Sequence, residues 1–190
     1  MFYTDNWAYF HVPKTAGTNI WVKAEKQAGA QQGGKYSFER HNPVWYWEYK
    51  IPDLEKNREY FGTVRNPYTR FVSLWHYVTK GNVTLDQFAS HESVDLYKWY
   101  DRIEDAEILW DMHTTQYQIL GNRVKCFRID AGPELIDLEQ AMGISFTNTR
   151  TKQGEYDKPW QDYYDDDLAK RVYRIFEEDF DLYEYPKAYK

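Results

Sequence analysis

One cysteine, Cys126, stands among 190 residues, so no internal disulfide framework is available to the chain. A reducing compartment suits such a composition, and a cytoplasmic location is expected. No apolar run near the N-terminus reaches the length of a signal peptide or membrane anchor, so no membrane partner is expected either. Positive charge is scarce, with 24 Lys and Arg against 30 Asp and Glu and a net charge of −6. That balance argues against a broad basic face for nucleic acid or a long polyanion, and any anion site has to be built locally. His76, His91 and His113 are scattered, with no cysteine or paired carboxylate at ligand spacing, so no metal site is expected. Aromatic residues are abundant instead, 19% of the chain with 18 Tyr and 8 Trp. They suit a bulky core with amphipathic rims, or surfaces that stack a sugar ring or an adenine. The length predicts one domain, residues 1–190, with a sizeable core.

The chain is organised around the stretch from Tyr9 to Ile20. An aromatic and β-branched run, Trp7 to Val12, feeds a turn containing Pro13, Lys14, Thr15, Ala16 and Gly17. A helix-compatible pattern with Ile20, Trp21, Val22 and Ala24 follows. The first amides of a helix have no intrahelical acceptor and point into the preceding loop, with the helix dipole behind them. Lys14 adds a full positive charge there, Thr15 and Thr18 add hydroxyl donors, and Gly17 allows close approach of the backbone. Such a junction reads as a phosphate cradle, with an ordinary solvated βα turn as the alternative.

The order of residues differs from the triphosphate loop G-x-x-x-x-G-K-[ST], since Lys14 precedes Gly17 and the leading glycine is missing. The run His11 to Thr18 resembles the 5′-phosphosulfate-binding loop of sulfotransferases, H-[IV]-P-K-T-A-G-T, particularly the branch containing heparan sulfate 2-O-sulfotransferases. The resemblance implies that Pro13, Lys14, Thr15, Ala16, Gly17, Thr18 and Asn19 bind the sulfate donor.

A second stretch agrees. Tyr60 to Val64 reads as a short buried strand, and Pro67 suits the first turn of a helix in which Phe71, Leu74, Trp75 and Val78 form one apolar stripe. The segment Val64-Arg65-Asn66-Pro67, with Arg70 and Ser73 beyond it, resembles the family's 3′-phosphate-binding segment, V-R-[ND]-P-x-x-R-x-x-S. By that resemblance Arg65 offers a guanidinium and Ser73 a hydroxyl to the 3′-phosphate. Arg70 is expected to pair with an acid elsewhere.

Between the two motifs, Tyr36 to Pro43 alternates apolar and polar residues and predicts a short strand or extended segment ending at Pro43. His41 is a candidate general base, because an unperturbed imidazole titrates near neutrality. Glu39 would share its face if the segment is a strand, and it is the alternative base. In the resembling family the catalytic His or Glu lies in this region. Val44 to Ile51 is rich in aromatics and reads equally as a short helix or a strand.

Further along, Leu85 to Ala89 and the spacing of Leu96, Trp99, Tyr100 and Ile103 suggest helical pieces. His113-Thr114-Thr115-Gln116 resembles a family segment with a His and a Gln near the acceptor. Arg123 to Ile129 alternates as a half-buried strand, and a helix carrying Leu135, Leu138 and Met142 should end at Gly143. A polar loop, Thr147 to Gly154, follows; in the family a loop here folds over the nucleotide, which implies donor contacts from Arg150 and Lys152. A last helix, Tyr164 to Phe180, has Asp165 to Asp167 at its start.

The expected fold is therefore α/β, a P-loop-like three-layer sandwich with a mostly parallel central sheet. The expected reaction moves a sulfuryl group from 3′-phosphoadenosine 5′-phosphosulfate to a hydroxyl, implied by the resemblance to belong to a carbohydrate. Its partners are that donor nucleotide and a saccharide acceptor, without nucleic acid. Lys14 and His41 (or Glu39) are the catalytic candidates. The alternatives are a non-catalytic nucleotide-binding or interaction protein, and a P-loop kinase.

Overall fold

The structure, a computed structural model, describes residues 1–34, 40–80, 82–90, 114–146 and 158–190. Its elements run β1 (Phe2–Tyr3), β2 (Trp7–Phe10), α1 (Gly17–Ala28), β3 (Gln31–Gln32), α2 (Val44–Lys50), β4 (Glu59–Val64), α3 (Pro67–Thr79) and α4 (Leu85–Ser90). They continue with α5 (Gln116–Leu120), β5 (Lys125–Arg128), α6 (Gly132–Met142), a 3₁₀ helix (Trp160–Tyr163), α7 (Asp166–Ile175) and α8 (Glu177–Leu182). The chain forms two compact units, each made of two stretches: Met1–Arg65 with Gln116–Gln153, and Asn66–Thr115 with Gly154–Lys190.

The first unit holds a five-stranded sheet in the order β3-β1-β2-β4-β5. β2, β4 and β5 run parallel, with Phe10 opposite Gly62 and Val64 opposite Arg128. β1 pairs antiparallel with both β2 and β3, so the parallel part of the sheet is its three-stranded centre and one edge. The two-residue strands β1 and β3 lie below the length at which alternation is readable, and neither was expected.

The alternation of strand side chains divides the core in two. On one face Trp7, Tyr9, Phe61 and Phe127 pack with Ile20 and Ala24 of α1 and with Leu138 and Met142 of α6. Phe2 of β1 stacks on Tyr9 with ring centroids 4.6 Å apart. Each such fully buried large side chain contributes roughly 1.5–3 kcal/mol. On the other face Phe10 meets Tyr60 edge-on, and a Cβ at Gly62 would fall 2.7 Å from Leu120 of α5. Gly62 thus leaves the central strand bare where α5 presses on it.

Among its described residues, the second unit is helical. α3 is buried nearly all round, from Pro67 and Tyr68 to Val78 and Thr79, rather than along the single stripe expected. Arg70 is 1% exposed, donates from Nη1 to the Thr114 carbonyl at 3.2 Å and lies over the Phe176 ring. The expected terminal helix is two helices. α7 begins at Asp165, whose carboxylate accepts from the Leu168 amide, and ends at Phe176. Phe176 is buried and packs on Phe71, while Glu177, Glu178 and Asp179 form the first turn of α8, a favourable place for acids. Phe176 and Phe180, on either side of the break, are both buried.

The helix expected at 96–103 and the loop at 147–154 lie outside the described residues. Val44 to Ile51 resolves as helix α2. Of the short strand or extended segment expected over Tyr36 to Pro43, residues 36–39 lie outside the described residues, and Arg40 and His41 form a 3₁₀ turn. Pro43 restricts only the residue before it, and tertiary hydrogen bonding decides the rest of that turn.

Candidate functional site

β2 delivers the loop. Beyond Phe10, Val12 and Pro13 are buried and Lys14 is half-buried, and the chain then turns through two non-glycine residues with positive φ, Lys14 at 65° and Ala16 at 67°. Ala16, left-handed, is followed directly by the right-handed Gly17 that opens α1. Opposite-handed neighbours of this kind gather consecutive amides into a concave, anion-attracting nest. Ala16 supplies no side-chain cap, and no acidic residue lies in the first turn. The first free amide of the helix to find a partner is that of Asn19, at 2.9 Å from the Ala16 carbonyl.

The loop is held from beneath by a relay of hydroxyls. Tyr9 donates its phenol to Thr63, Thr63 donates to the Thr15 carbonyl at 2.7 Å, and Thr15 donates to the Val12 carbonyl at 2.8 Å. All three residues are fully buried. Burial raises the Tyr9 phenol above its ordinary value, so it stays protonated and able to donate. The Thr15 hydroxyl, expected on the ligand side, therefore faces inward and braces the loop against β2 and β4. Thr18 is exposed. Asn19 donates to the Phe146 carbonyl at 3.4 Å.

Gly17 has a different reason from the one its sequence suggests. A Cβ there would stand 2.0 Å from Cδ2 and 2.2 Å from Nε2 of His11, so the helix start rests on an imidazole. His11 is 7% exposed, and burial first, then the nearby His41, lowers its pKa well below the ordinary histidine value. It is a neutral packing surface inside the loop.

His41 stands beside it, with ring centroids 4.5 Å apart, and its Nδ1 lies 3.1 Å from the His11 carbonyl. A carbonyl only accepts, so Nδ1 carries the proton and the neutral ring has its basic lone pair on Nε2. Trp47, buried in α2, donates its indole N–H to the Asn42 carbonyl at 3.1 Å and fixes the segment from the other side.

Arg65, one residue past β4, is half-buried and directs Nη1 to the Lys14 carbonyl at 3.4 Å. The structure thus brings together the loop, Lys14, His41 and Arg65, which sequence alone left as separate candidates. Ser73 belongs to the second unit, where it is 7% exposed within α3. Pro13 is a buried part of the loop wall. Glu39, Arg150 and Lys152 lie outside the described residues. The second unit has its own depression of about 590 Å³ near Trp75, Val83 and Tyr163, and none of the candidates lines it.

Two contributors stood outside the candidate site residues: Thr63, which carried no signal, and Gln116, which the sequence marked only as part of the segment His113 to Gln116 resembling a family segment near the acceptor. Thr63 looks like any β-strand threonine, and its role depends on partners 48 and 54 positions away. Gln116 is fully buried and bonds to the Arg65 backbone from 51 positions away. No family model, curated protein or solved structure matches the chain.

Proposed function

We propose that the protein is a sulfotransferase of the P-loop-like α/β fold, moving a sulfuryl group from 3′-phosphoadenosine 5′-phosphosulfate to a hydroxyl of a carbohydrate. The observation that carries this reading is the convergence at the end of β2: an uncapped helix start, the Lys14 charge, the Arg65 guanidinium 3.4 Å from the Lys14 carbonyl, and the oriented imidazole of His41. The residues present fit an anionic donor. The amides of Gly17 and Thr18, the Thr18 hydroxyl, Lys14 and Arg65 would hold it, and the bound donor supplies an activated sulfur ester. The resemblance of residues 11–18 and 64–73 to donor-binding segments gives the anion its chemical identity.

In the reaction the acceptor oxygen forms a bond to sulfur while the bond from sulfur to the 5′-phosphate oxygen breaks. Nε2 of His41 takes the acceptor's proton as general base. Lys14 and the loop amides stabilise the charge that grows on the departing phosphate; such preorganised donors are worth about 10²–10³ in rate each. The relay from Tyr9 to Val12 keeps the loop from reorganising as that charge develops.

The test is incubation with labelled donor and a panel of oligosaccharides, phenols and peptides. Transfer to a saccharide hydroxyl is expected, together with stabilisation by adenosine 3′,5′-bisphosphate in the presence of chelator. At a hundredfold excess over Kd that stabilisation should be about 2.7 kcal/mol. Binding without any transfer would leave a nucleotide-binding protein, and a larger shift with ATP and Mg²⁺ would favour a kinase.

A further inference from the structure

We infer that Gln116 is a positioning residue that clamps Arg65 by its backbone and so holds the guanidinium at the loop. This inference rests on the reading of Arg65 as a ligand of the donor's phosphate. Regular pairing between β4 and β5 ends with Val64 opposite Arg128, and the Ile129 amide still bonds to the Val64 carbonyl at 2.9 Å. At Arg65 a side chain takes over. The Arg65 amide donates to Gln116 Oε1 at 2.8 Å, and Gln116 Nε2 donates to the Arg65 carbonyl at 2.9 Å. One primary amide thus occupies both backbone groups of one residue, as a neighbouring strand would.

The arrangement calls for an acceptor and a donor on one planar side-chain group. Only an acceptor and a donor at that spacing serve both groups, and the Gln116 amide that supplies them is fully buried against the half-buried Arg65. The first unit loses the chain after Arg65 and regains it at Gln116. The clamp therefore joins the residue at which the chain leaves that unit to the residue at which it returns. With N–H and C=O both fixed, the Arg65 side chain starts from one Cα direction, and Nη1 reaches the Lys14 carbonyl.

Three variants test the clamp. Gln116→Met keeps the length and volume while removing both bonds, so exchange of the Arg65 amide should accelerate about ten- to a hundredfold. The Ile129 amide serves as reference and should keep its protection. Unchanged exchange at Arg65 would overturn the clamp, and this readout needs no ligand.

The positioning role is read in a double-mutant cycle with adenosine 3′,5′-bisphosphate as the probe. Gln116→Met should weaken binding about tenfold when Arg65 is present and less than about twofold in the Arg65→Ala background. Equal weakening in both backgrounds would make Gln116 a support of the fold alone and overturn the inference. If the wild-type protein fails to bind the bisphosphate, the donor reading falls with the anion-holding half of this inference, and exchange alone decides the clamp.

Gln116→Glu covers the case in which Gln116→Met does not fold. A protonated carboxyl reproduces both bonds, its O–H donating to the Arg65 carbonyl and its C=O accepting from the amide. An ionised carboxylate sets an acceptor against an acceptor. Protection of the Arg65 amide and bisphosphate affinity should therefore be near wild-type at low pH and fall as pH rises through the carboxyl pKa. No pH dependence relative to wild type would overturn the clamp.

Discussion

Two helices follow central strands, and their starts are finished in opposite ways. α3 is sealed: Asn66 caps it, its side chain accepting from the Tyr68 amide at 2.9 Å, and Pro67 contributes no N–H. α1 is left open: Ala16 offers no side-chain cap, the turn is forced through positive φ at Lys14 and Ala16, and a histidine ring replaces the usual polar residue beneath the first turn. Non-glycine residues in the left-handed region cost about 1–2 kcal/mol each. The loop accepts that cost and forgoes a cap worth about 1 kcal/mol. Helix starts optimised for stability look like α3; the start of α1 is arranged around something else, and positive charge collects there.

The comparison can be broken first at His41, which hydrogen-bonds to the open junction. His41→Ala should lower turnover by about 10²–10⁴ with bisphosphate affinity kept within a few-fold, measured by steady-state transfer and calorimetry. If turnover survives, the base lies elsewhere, and Glu39→Gln is the next variant to assay.

The next effect is in stability. Gly17→Ala drives a methyl into the buried His11 ring and should destabilise the fold by about 1–3 kcal/mol in denaturant titration. A loss below about 0.5 kcal/mol would mean the ring yields freely, as surface changes do. The same imidazole makes the junction acid-sensitive. Its folded pKa is lowered, so below about pH 6.5 the unfolded chain binds a proton that the folded one refuses. Stability should fall with pH there, by at most about 1.4 kcal/mol per unit for one group. His11→Asn should remove that part of the slope.

The smallest effects sharpen the contrast because their signs differ. Asn66→Ala removes a working cap and should cost about 1 kcal/mol. Ala16→Gly relieves a left-handed residue but loosens the unfolded chain, so a gain of no more than about 1 kcal/mol is expected. Losses of similar size at both positions, read as shifts in the denaturation midpoint, would erase the distinction between a sealed and an open start.

Local chemistry made much of this legible before any coordinates. The β2, β4 and β5 segments announced themselves by β-branched and aromatic runs or alternation, α3 by Pro67, α6 by Gly143, and α7 by its acidic start, all through contacts within about one turn. Gly143 sits in the left-handed region at φ 67°, the conformation a glycine stop serves, and Asp165 caps its helix as its position suggested. The candidate loop and Arg65 were equally readable, because the residue types themselves carry charge and hydrogen-bonding capacity.

What sequence left undecided was which way those residues face and what holds them. Thr15 turns inward because Thr63 and Tyr9 wait beneath it, and Gly17 is small because His11 lies against it. The turn at Arg40 and His41, the break at Phe176 and the antiparallel edge of the sheet likewise depend on partners from other elements. The identity, charge and local propensity of a residue belong to its own few neighbours in the chain, so they survive as a pattern in one dimension. Its direction and its partner depend on a minimum shared among segments such as 63 with 15, 41 with 11 and 116 with 65, and only packing the whole chain selects that minimum.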